Sequence, residues 1–239
     1  MIISFAMTYA RSNEESMVAS NNDGADMIII TSDSTSLLLD ASSHNSSAVF
    51  SAANFLGDED ITSLDYYYVA NYSAALPEMV VNVISRIYVK CFVFPKCSSE
   101  DDENILGSCI KLLSGYRTCY EIAEDGYYAI GSVDIQRGYT ADPRRDFSYH
   151  FNYGENVYSY LTSGLIESNP LAELSLYSSA AVIFGNYGRG YSKNYYFDEY
   201  GEKLRTVLIF DKDVVPDLEY AATTGTDIFR YQKAKIYKN

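Results

Sequence analysis

The stretch from Asp26 to Asp40, DMIIITSDSTSLLLD, constrains the fold more than any other part of the sequence. Two apolar runs, Met27–Ile30 and Leu37–Leu39, flank a polar centre that contains Asp33. Short runs of large aliphatic residues bounded by small polar ones predict two buried strands joined by a tight connection. A carboxylate between such strands needs hydrogen-bond donors, because an isolated buried charge is costly. Asp33 therefore either caps the turn or belongs to a functional site.

The charge of the chain limits its partners. The 239 residues carry 32 acidic and 18 basic side chains, which gives a net charge of −14. Phosphate binding needs clustered Lys and Arg, so neither nucleic acid nor an anionic membrane surface is predicted as a partner. With 47% hydrophobic residues, the chain can bury a sizeable core in one large domain or two small ones. The 24 Tyr predict half-buried surfaces, either at a permanent interface or at the edge of the core.

Cysteine and histidine are too few and too scattered to predict a metal centre. The four Cys stand at positions 91, 97, 109 and 119 without a CxxC spacing, and only His44 and His150 could join them. We predict no zinc site and no cofactor, and we expect free thiols in a reducing compartment. The start, Met1–Met7, lacks the basic and apolar regions of a signal peptide and is too short for a spanning helix.

Two acidic runs, Asp58–Asp60 and Glu100–Glu103, could bind a divalent cation. The sequence favours other roles for both. Acidic side chains stabilise the N-terminus of a helix, so the first run predicts the start of a helix. The second run predicts a solvated loop.

Hydrophobic periodicity divides the rest of the chain into strands and helices. The predicted strands are Met1–Ala10, Ala48–Ala53, Ile105–Leu113, Arg117–Ala123, Tyr127–Ile135, Phe147–Tyr153, Tyr195–Phe197 and Leu204–Asp211, with a hairpin turn at 124–126. The predicted helices begin at Asp58, Pro77, Glu155 and Asn169, and the predicted loops or insertions are Arg11–Ala25 and Lys96–Asn104. Strands, two helices, strands, two helices and strands thus follow one another along the chain.

This order predicts an α+β fold, because alternating βαβ units are absent. Two antiparallel sheets packed face to face, with a helix pair on each outer side, would bury every apolar face. We therefore predict a four-layer αββα sandwich over residues 1–213, followed by an extended arm at residues 214–239.

Six stretches carry a family resemblance, each at the expected place in the order of elements. They are Ile28–Thr35, Val49–Asp58, Ile84–Pro95, Thr118–Gly131, Tyr153–Leu165 and Thr206–Asp213. Together they resemble the β-type subunits of the 20S proteasome, which have the N-terminal-nucleophile hydrolase fold. The resemblance implies partners among other α- and β-type subunits in a large complex that degrades ubiquitinated proteins, in the cytoplasm and the nucleus.

The resemblance also implies that this subunit is not catalytic. The family's active members use an N-terminal Thr nucleophile, a Lys that holds positive charge near it and an Asp that pairs with the Lys. Asp33 matches the Asp position, but no Lys precedes Lys90 and the start of the first strand offers no Thr. Of the family's Asp-x-x-Ser-Gly loop only Ser192 remains. The implied role is a structural subunit of the β ring.

Two alternatives stay open at this point. The chain could be an active N-terminal-nucleophile hydrolase whose processed N-terminus differs from Met1. It could also be an unrelated β-rich binding module.

Overall fold

A computed structural model describes residues 16–22, 25–32, 35–41, 48–123, 127–130, 133–139, 147–153, 156–161, 181–184, 206–209, 227–230 and 233–237. The chain divides into two compact units. The first comprises residues 1–134 and 233–239, and the second comprises residues 135–232. Within the described ranges, no helix is both long and apolar enough to cross a membrane.

The described residues form fourteen strands and three α-helices. The strands are β1 (Ser16–Asn22), β2 (Ala25–Ser32), β3 (Thr35–Asp40), β4 (Ser63–Val69), β5 (Tyr88–Pro95), β6 (Cys119–Ala123), β7 (Tyr127–Ile130), β8 (Val133–Tyr139), β9 (Phe147–Tyr153), β10 (Asn156–Leu161), β11 (Ala181–Phe184), β12 (Thr206–Ile209), β13 (Asp227–Arg230) and β14 (Lys233–Tyr237). The helices are α1 (Ser51–Asp58), α2 (Leu76–Ile84) and α3 (Glu100–Leu113), and a 3-10 turn at Ala48–Phe50 precedes α1.

The first sheet has the strand order β14-β1-β2-β3-β4-β5-β6. Its first four strands pair antiparallel, and β3, β4, β5 and β6 run parallel. The strand pair predicted from Asp26 to Asp40 is confirmed, with β2 and β3 paired from Met27 opposite Asp40 to Ser32 opposite Thr35. Parallel neighbours require a crossover connection. Accordingly, α1, α2 and α3 each lie between two successive parallel strands.

The core of the first unit lies between this sheet and its helices. Helix α2 shows how the sequence builds it: Pro77 stands in the first turn, where a missing N–H costs little, and Met79, Val80 and Val83 are fully buried. Aromatic rings extend the core along the sheet, because Phe92 stacks on the ring of Tyr67 with a centroid distance of 4.9 Å.

The second sheet has the order β13-β12-β11-β10-β9-β8-β7. Strands β8, β9 and β10 pair antiparallel, whereas β10, β11, β12 and β13 run parallel. Buried aromatic side chains fill its centre, with Phe151 stacked on Tyr158 and Tyr149 near Tyr160 at centroid distances of 5.8 and 6.3 Å. Each sheet therefore combines an antiparallel part with a run of four parallel strands.

The predicted four-layer sandwich of two antiparallel sheets is wrong, because both sheets are mixed. Two predicted helices contain strands: β4 lies in the one that began at Asp58, and β10 is the described part of the one over Glu155–Leu165. A strand that is buried on both faces is apolar at most positions, so it has no alternation of polar and apolar residues. Such a strand also contains apolar residues at spacings of three and four, which the sequence analysis interpreted as a helix. The unrelated β-rich module is equally wrong as a fold, since a helix follows each of β3, β4 and β5.

Other predicted elements change type or place. The predicted strands Ala48–Ala53 and Ile105–Leu113 are helical, in the 3-10 turn with α1 and in α3. Cys91–Pro95, predicted to end a helix, lies in strand β5, between β4 and β6. The predicted hairpin at 124–126 does not form, because β6 and β7 belong to different sheets. Part of the predicted loop Arg11–Ala25 is strand β1.

Several predictions fall where little or nothing is described. Met1–Ala10 and Tyr195–Phe197 lie outside the described residues, as does most of the predicted helix that begins at Asn169. The end of that predicted helix is strand β11. Of the predicted arm at residues 214–239, the described parts are strands β13 and β14.

Candidate functional site

The carboxyl ends of the parallel strands form the first candidate site, because ligands of open α/β sheets bind beyond these ends. In the first sheet this edge carries Asp40 at the end of β3, Asn71 after β4 and Cys97 after β5. Asp40 and Asn71 are buried, and Cys97 is half-buried. Each of these strands is a buried apolar run that gives way to small or polar residues, so the sequence itself delivers polar groups to this edge.

Asp40 connects strand β3 to strand β4 and to the residue that follows β4. Its carboxylate is fully buried and accepts a hydrogen bond of 2.5 Å from the hydroxyl of Tyr67 on β4. Its backbone carbonyl accepts a bond of 3.0 Å from the N–H of Ala70. Burial, and next the charge of Asp40, raise the pKa of Tyr67 well above its usual value, so the phenol stays protonated and keeps donating. The pair offsets the cost of burying a carboxylate.

Tyr72 closes the same edge between β4 and β5. Its hydroxyl donates to the carbonyl oxygen of Pro95 at 2.6 Å, and its ring is buried. Burial, and next the thiol of Cys97, raise the pKa of Tyr72 far above its usual value. Burial also raises the pKa of Cys109 to about 12, so that this thiol is neutral at physiological pH.

The N-terminus of α3 lies next to this edge and is capped by its own sequence. Ser99 accepts a bond of 3.2 Å from the N–H of Asp102, and the Asp102 carboxylate accepts bonds of 2.9 and 2.7 Å from the N–H and hydroxyl of Ser98. Asp102 is buried by this arrangement. The acidic run Glu100–Glu103 is thus the first turn of a helix, and the predicted loop is wrong.

A second polar cluster lies inside the second unit. His150 on β9 is buried, with Nδ1 2.8 Å from the hydroxyl of Ser159 and Nε2 3.2 Å from the hydroxyl of Ser148. Both serines are fully buried, and Ser159 stands opposite His150 on β10. Burial lowers the pKa of His150 from 6.5 to about 4, so the imidazole is neutral at pH 7. A Ser–His pair can activate a nucleophile, but a hydroxyl with no exposed surface cannot meet a substrate.

The amino ends of β4 and β5 border an open cleft of about 450 Å³. It lies on the opposite edge of the sheet from Asp40, and Arg86 and Asn54 in its lining are joined by a hydrogen bond of 3.0 Å. Two carboxylates, Asp58 and Asp60, also line it. A cleft that holds a guanidinium and carboxylates suits a small molecule that carries one negative and one positive group. Asp60 adopts a φ of 58°, which is typical of the residue that follows a helix, so the acidic run Asp58–Asp60 ends α1 and does not begin a helix.

Metal ligands do not come together in the described part of the chain. No group of three or more His, Cys, Asp or Glu side chains there could hold a metal ion. The sequence has two histidines, and the imidazole of His150 already has a serine hydroxyl at each ring nitrogen. At most one imidazole, that of His44, is left for any metal site elsewhere in the chain.

The sequence-predicted site residues have different outcomes. Asp33, His44 and Ser192 lie outside the described residues, so the role of Asp33 as a cap of the turn between the two strands stays a prediction. His150 lies in strand β9, which confirms the strand predicted over Phe147–Tyr153. The sequence analysis missed Asp40, although a buried strand that ends in an Asp was a signal that could have found it.

Comparison with known proteins shows a likeness of fold. No protein-family model matches the sequence, and no curated protein matches it. The structure resembles the metallo-beta-lactamase fold protein YhfI from Bacillus subtilis, with a TM-score of 0.56, 11% identity and coverage of 93% of this chain and 100% of that one. It also resembles CmlA, a diiron beta-hydroxylase from Streptomyces venezuelae, with a TM-score of 0.58, 13% identity and coverage of 95% of this chain and 54% of that one.

These findings correct the family predicted from the sequence. The resemblance to β-type proteasome subunits is wrong, and with it the structural role in the β ring and the partnership with other proteasome subunits. The local matches were strand and helix ends that many α/β proteins share. At 11% and 13% identity the likeness carries no activity and shows the fold alone, which is that of the metallo-β-lactamases.

Proposed function

We propose that this chain is a pseudoenzyme of the metallo-β-lactamase fold, which keeps the scaffold and works without a histidine-based metal centre. The observation that carries the proposal is the state of His150. One of only two imidazoles in the chain is buried as a neutral core group between Ser148 and Ser159. Catalytic zinc and iron sites in proteins commonly use at least two imidazoles or a Cys–His combination.

The carboxyl edge of the first sheet supports the same proposal. Asp40 is bound to Tyr67, and the hydroxyl of Tyr72 is bound to Pro95. These hydrogen bonds tie β3 to β4 and connect the segment after β4 to the end of β5. On this proposal the chain acts by binding, and the cleft beside Arg86 is the place for a small ligand.

A second candidate is a metal-dependent enzyme with a carboxylate-rich site. The observation that favours it is the likeness to CmlA, which is described as a diiron protein. Diiron sites can be built mainly from carboxylates. The chain has 32 Asp and Glu, and His44 lies outside the described residues.

Metal content decides between the two candidates. The chain is produced in cells supplied with zinc and iron, purified without chelator and analysed by plasma mass spectrometry. The pseudoenzyme should carry far less than one metal ion per chain, and EDTA should leave its melting temperature unchanged. A stoichiometric metal whose removal lowers the melting temperature would favour the enzyme. In that case His44→Ala should lower the metal content, and an unaltered content would place the metal on carboxylates alone.

A further inference from the structure

Two cysteines face each other across the parallel strands β5 and β6. Cys91 and Cys119 are directly opposite in the register of these strands. Cys91 is buried, and Cys119 is exposed on β6, the outermost strand at this end of the described sheet. Residues opposite each other on neighbouring strands project their side chains to the same face. The two thiols therefore share one face of the sheet.

The spacing of the strands suits a covalent link between them. Neighbouring strands lie about 4.8 Å apart, and disulfides bridge Cα atoms roughly 4.4 to 6.8 Å apart. The sulfur of Cys119 already reaches toward β5, because it lies 3.1 Å from the carbonyl oxygen of Lys90. Burial, and next the adjacent thiol of Cys119, raise the pKa of Cys91, which agrees with close contact of the two sulfur atoms.

We propose that Cys91 and Cys119 form a redox-active dithiol, which a small-molecule disulfide converts into an intramolecular disulfide between β5 and β6. The thiolate of the exposed Cys119 attacks the small disulfide, forms a mixed disulfide and releases one small thiol. Cys91 then gives up its proton to solvent, attacks the sulfur of Cys119 and releases the second small thiol. Two protein thiols are oxidised to one disulfide, and one small disulfide is reduced to two thiols.

The other two cysteines have no such arrangement in register. Cys109 lies on α3 and is buried, and Cys97 follows the end of β5. Both lie near Tyr72, whose pKa each of them raises. They provide the matched control, because Cys97→Ser should leave the bond between Cys91 and Cys119 unaffected.

The experiment treats the reduced, folded chain with oxidised glutathione and then blocks free thiols by alkylation. Intact-mass measurement and peptide mapping without reductant locate the products. We expect the loss of two hydrogen atoms and a linked peptide pair that contains Cys91 and Cys119. A glutathione adduct that persists on Cys119 while Cys91 is alkylated would overturn the proposal, as would a bond between Cys97 and Cys109.

Two variants test the order of the steps. Cys91→Ser should stop the reaction at the mixed disulfide, so the mass rises by one glutathione on Cys119. Cys119→Ser alters an exposed position and should fold even if the buried Cys91→Ser does not. It should form no intramolecular disulfide under the same conditions. An intramolecular disulfide in Cys119→Ser would contradict the proposal.

Discussion

Both units bury a polar group where the antiparallel part of the sheet meets the parallel part, but the group is charged in the first unit and neutral in the second. In each sheet an antiparallel pair leads into the parallel run, β2 and β3 in the first and β9 and β10 in the second. At that junction the first unit buries the carboxylate of Asp40 against the phenol of Tyr67. The second unit buries the imidazole of His150 against the hydroxyls of Ser148 and Ser159.

The difference shows that one topology can be supported by an ionised or by a neutral buried group. Tyr67 remains a donor because its pKa is raised, so the phenol stops donating only in alkali. His150 remains neutral because its pKa is lowered, so the second junction weakens in acid. Neither arrangement leaves a nucleophile or a metal ligand exposed at the junction. The contacts at both junctions therefore stabilise the pairing of neighbouring strands.

The largest expected effect is the acid sensitivity of the second junction. The unfolded chain takes up a proton on His150 below pH 6.5, whereas the folded chain does so only below about pH 4. The free energy of unfolding should thus fall by about 3 kcal/mol as the pH falls through this window. Urea unfolding at several pH values measures it. Because carboxylates titrate in the same range, His150→Gln is the control, and its pH dependence should be smaller by that amount.

Nuclear magnetic resonance gives a direct check on the same group. The chain has only two histidines, so His44→Ala assigns the remaining imidazole signal to His150. That signal should not shift until the pH approaches 4. A midpoint near 6.5 in the folded protein would mean that His150 is solvated, and the contrast between the two junctions would be lost.

The hairpin of β2 and β3 could be predicted from the sequence, whereas the strands β1 and β14 beside it and the parallel pairing of β3 with β4 could not. The hairpin of β2 and β3 has short apolar runs around a polar turn, a local pattern that fixes register. Strand β4 is buried at Leu64, Tyr67 and Tyr68, so both of its faces are apolar and it has no alternation. The spacing of Tyr68 and Tyr72 matches a helix, so the sequence analysis predicted a helix where β4 lies. The pairing of β3 with β4 depends on contacts 27 to 29 residues apart, which periodicity does not report.

The candidate sites depend on the same long-range contacts. His150 meets Ser159 only because the hairpin of β9 and β10 sets them opposite each other. The sequence drew attention to Asp33 because it stands between apolar runs, whereas the structure shows Asp40, at the end of the second run, buried against Tyr67. The true helix start at Ser99 was present in the sequence as a Ser followed three residues later by Asp102. The acidic run at Asp58 competed with it and was chosen wrongly.

The next largest effect should come from Tyr67→Phe, which removes a donor to the buried carboxylate of Asp40. A hydrogen bond to a charged group contributes about 2 kcal/mol, so the free energy of unfolding at pH 7 should fall by that amount. Urea unfolding measures it, with Tyr66→Phe as the control at a neighbouring, half-buried tyrosine. An equal loss in both variants would show that the bond to Asp40 has no special weight.

The same variant tests the alkaline side of the comparison. In the unfolded chain Tyr67 loses its proton near pH 10, but in the folded chain it does so only at much higher pH. Its contribution to stability is therefore complete below pH 10 and is lost as the pH rises above that value. Tyr67→Phe should flatten this alkaline decline, while His150→Gln should leave it unchanged. If the unaltered chain, Tyr67→Phe and His150→Gln all lost the same stability in alkali, the loss would come from groups other than Tyr67.

The smallest effect concerns Asp102, a second buried carboxylate of the first unit that differs from Asp40 in being satisfied locally. Its partners Ser98 and Ser99 are within four residues, so the arrangement stabilises one helix end and not the pairing of strands. Ser99→Ala should lower the free energy of unfolding by about 1 kcal/mol, the usual contribution of a helix N-cap. Ser108→Ala, on the exposed face of the same helix, is the matched control and should change stability by roughly 0.5 kcal/mol or less. If Ser99→Ala cost as much as Tyr67→Phe, the distinction between local and long-range support of buried carboxylates would not hold.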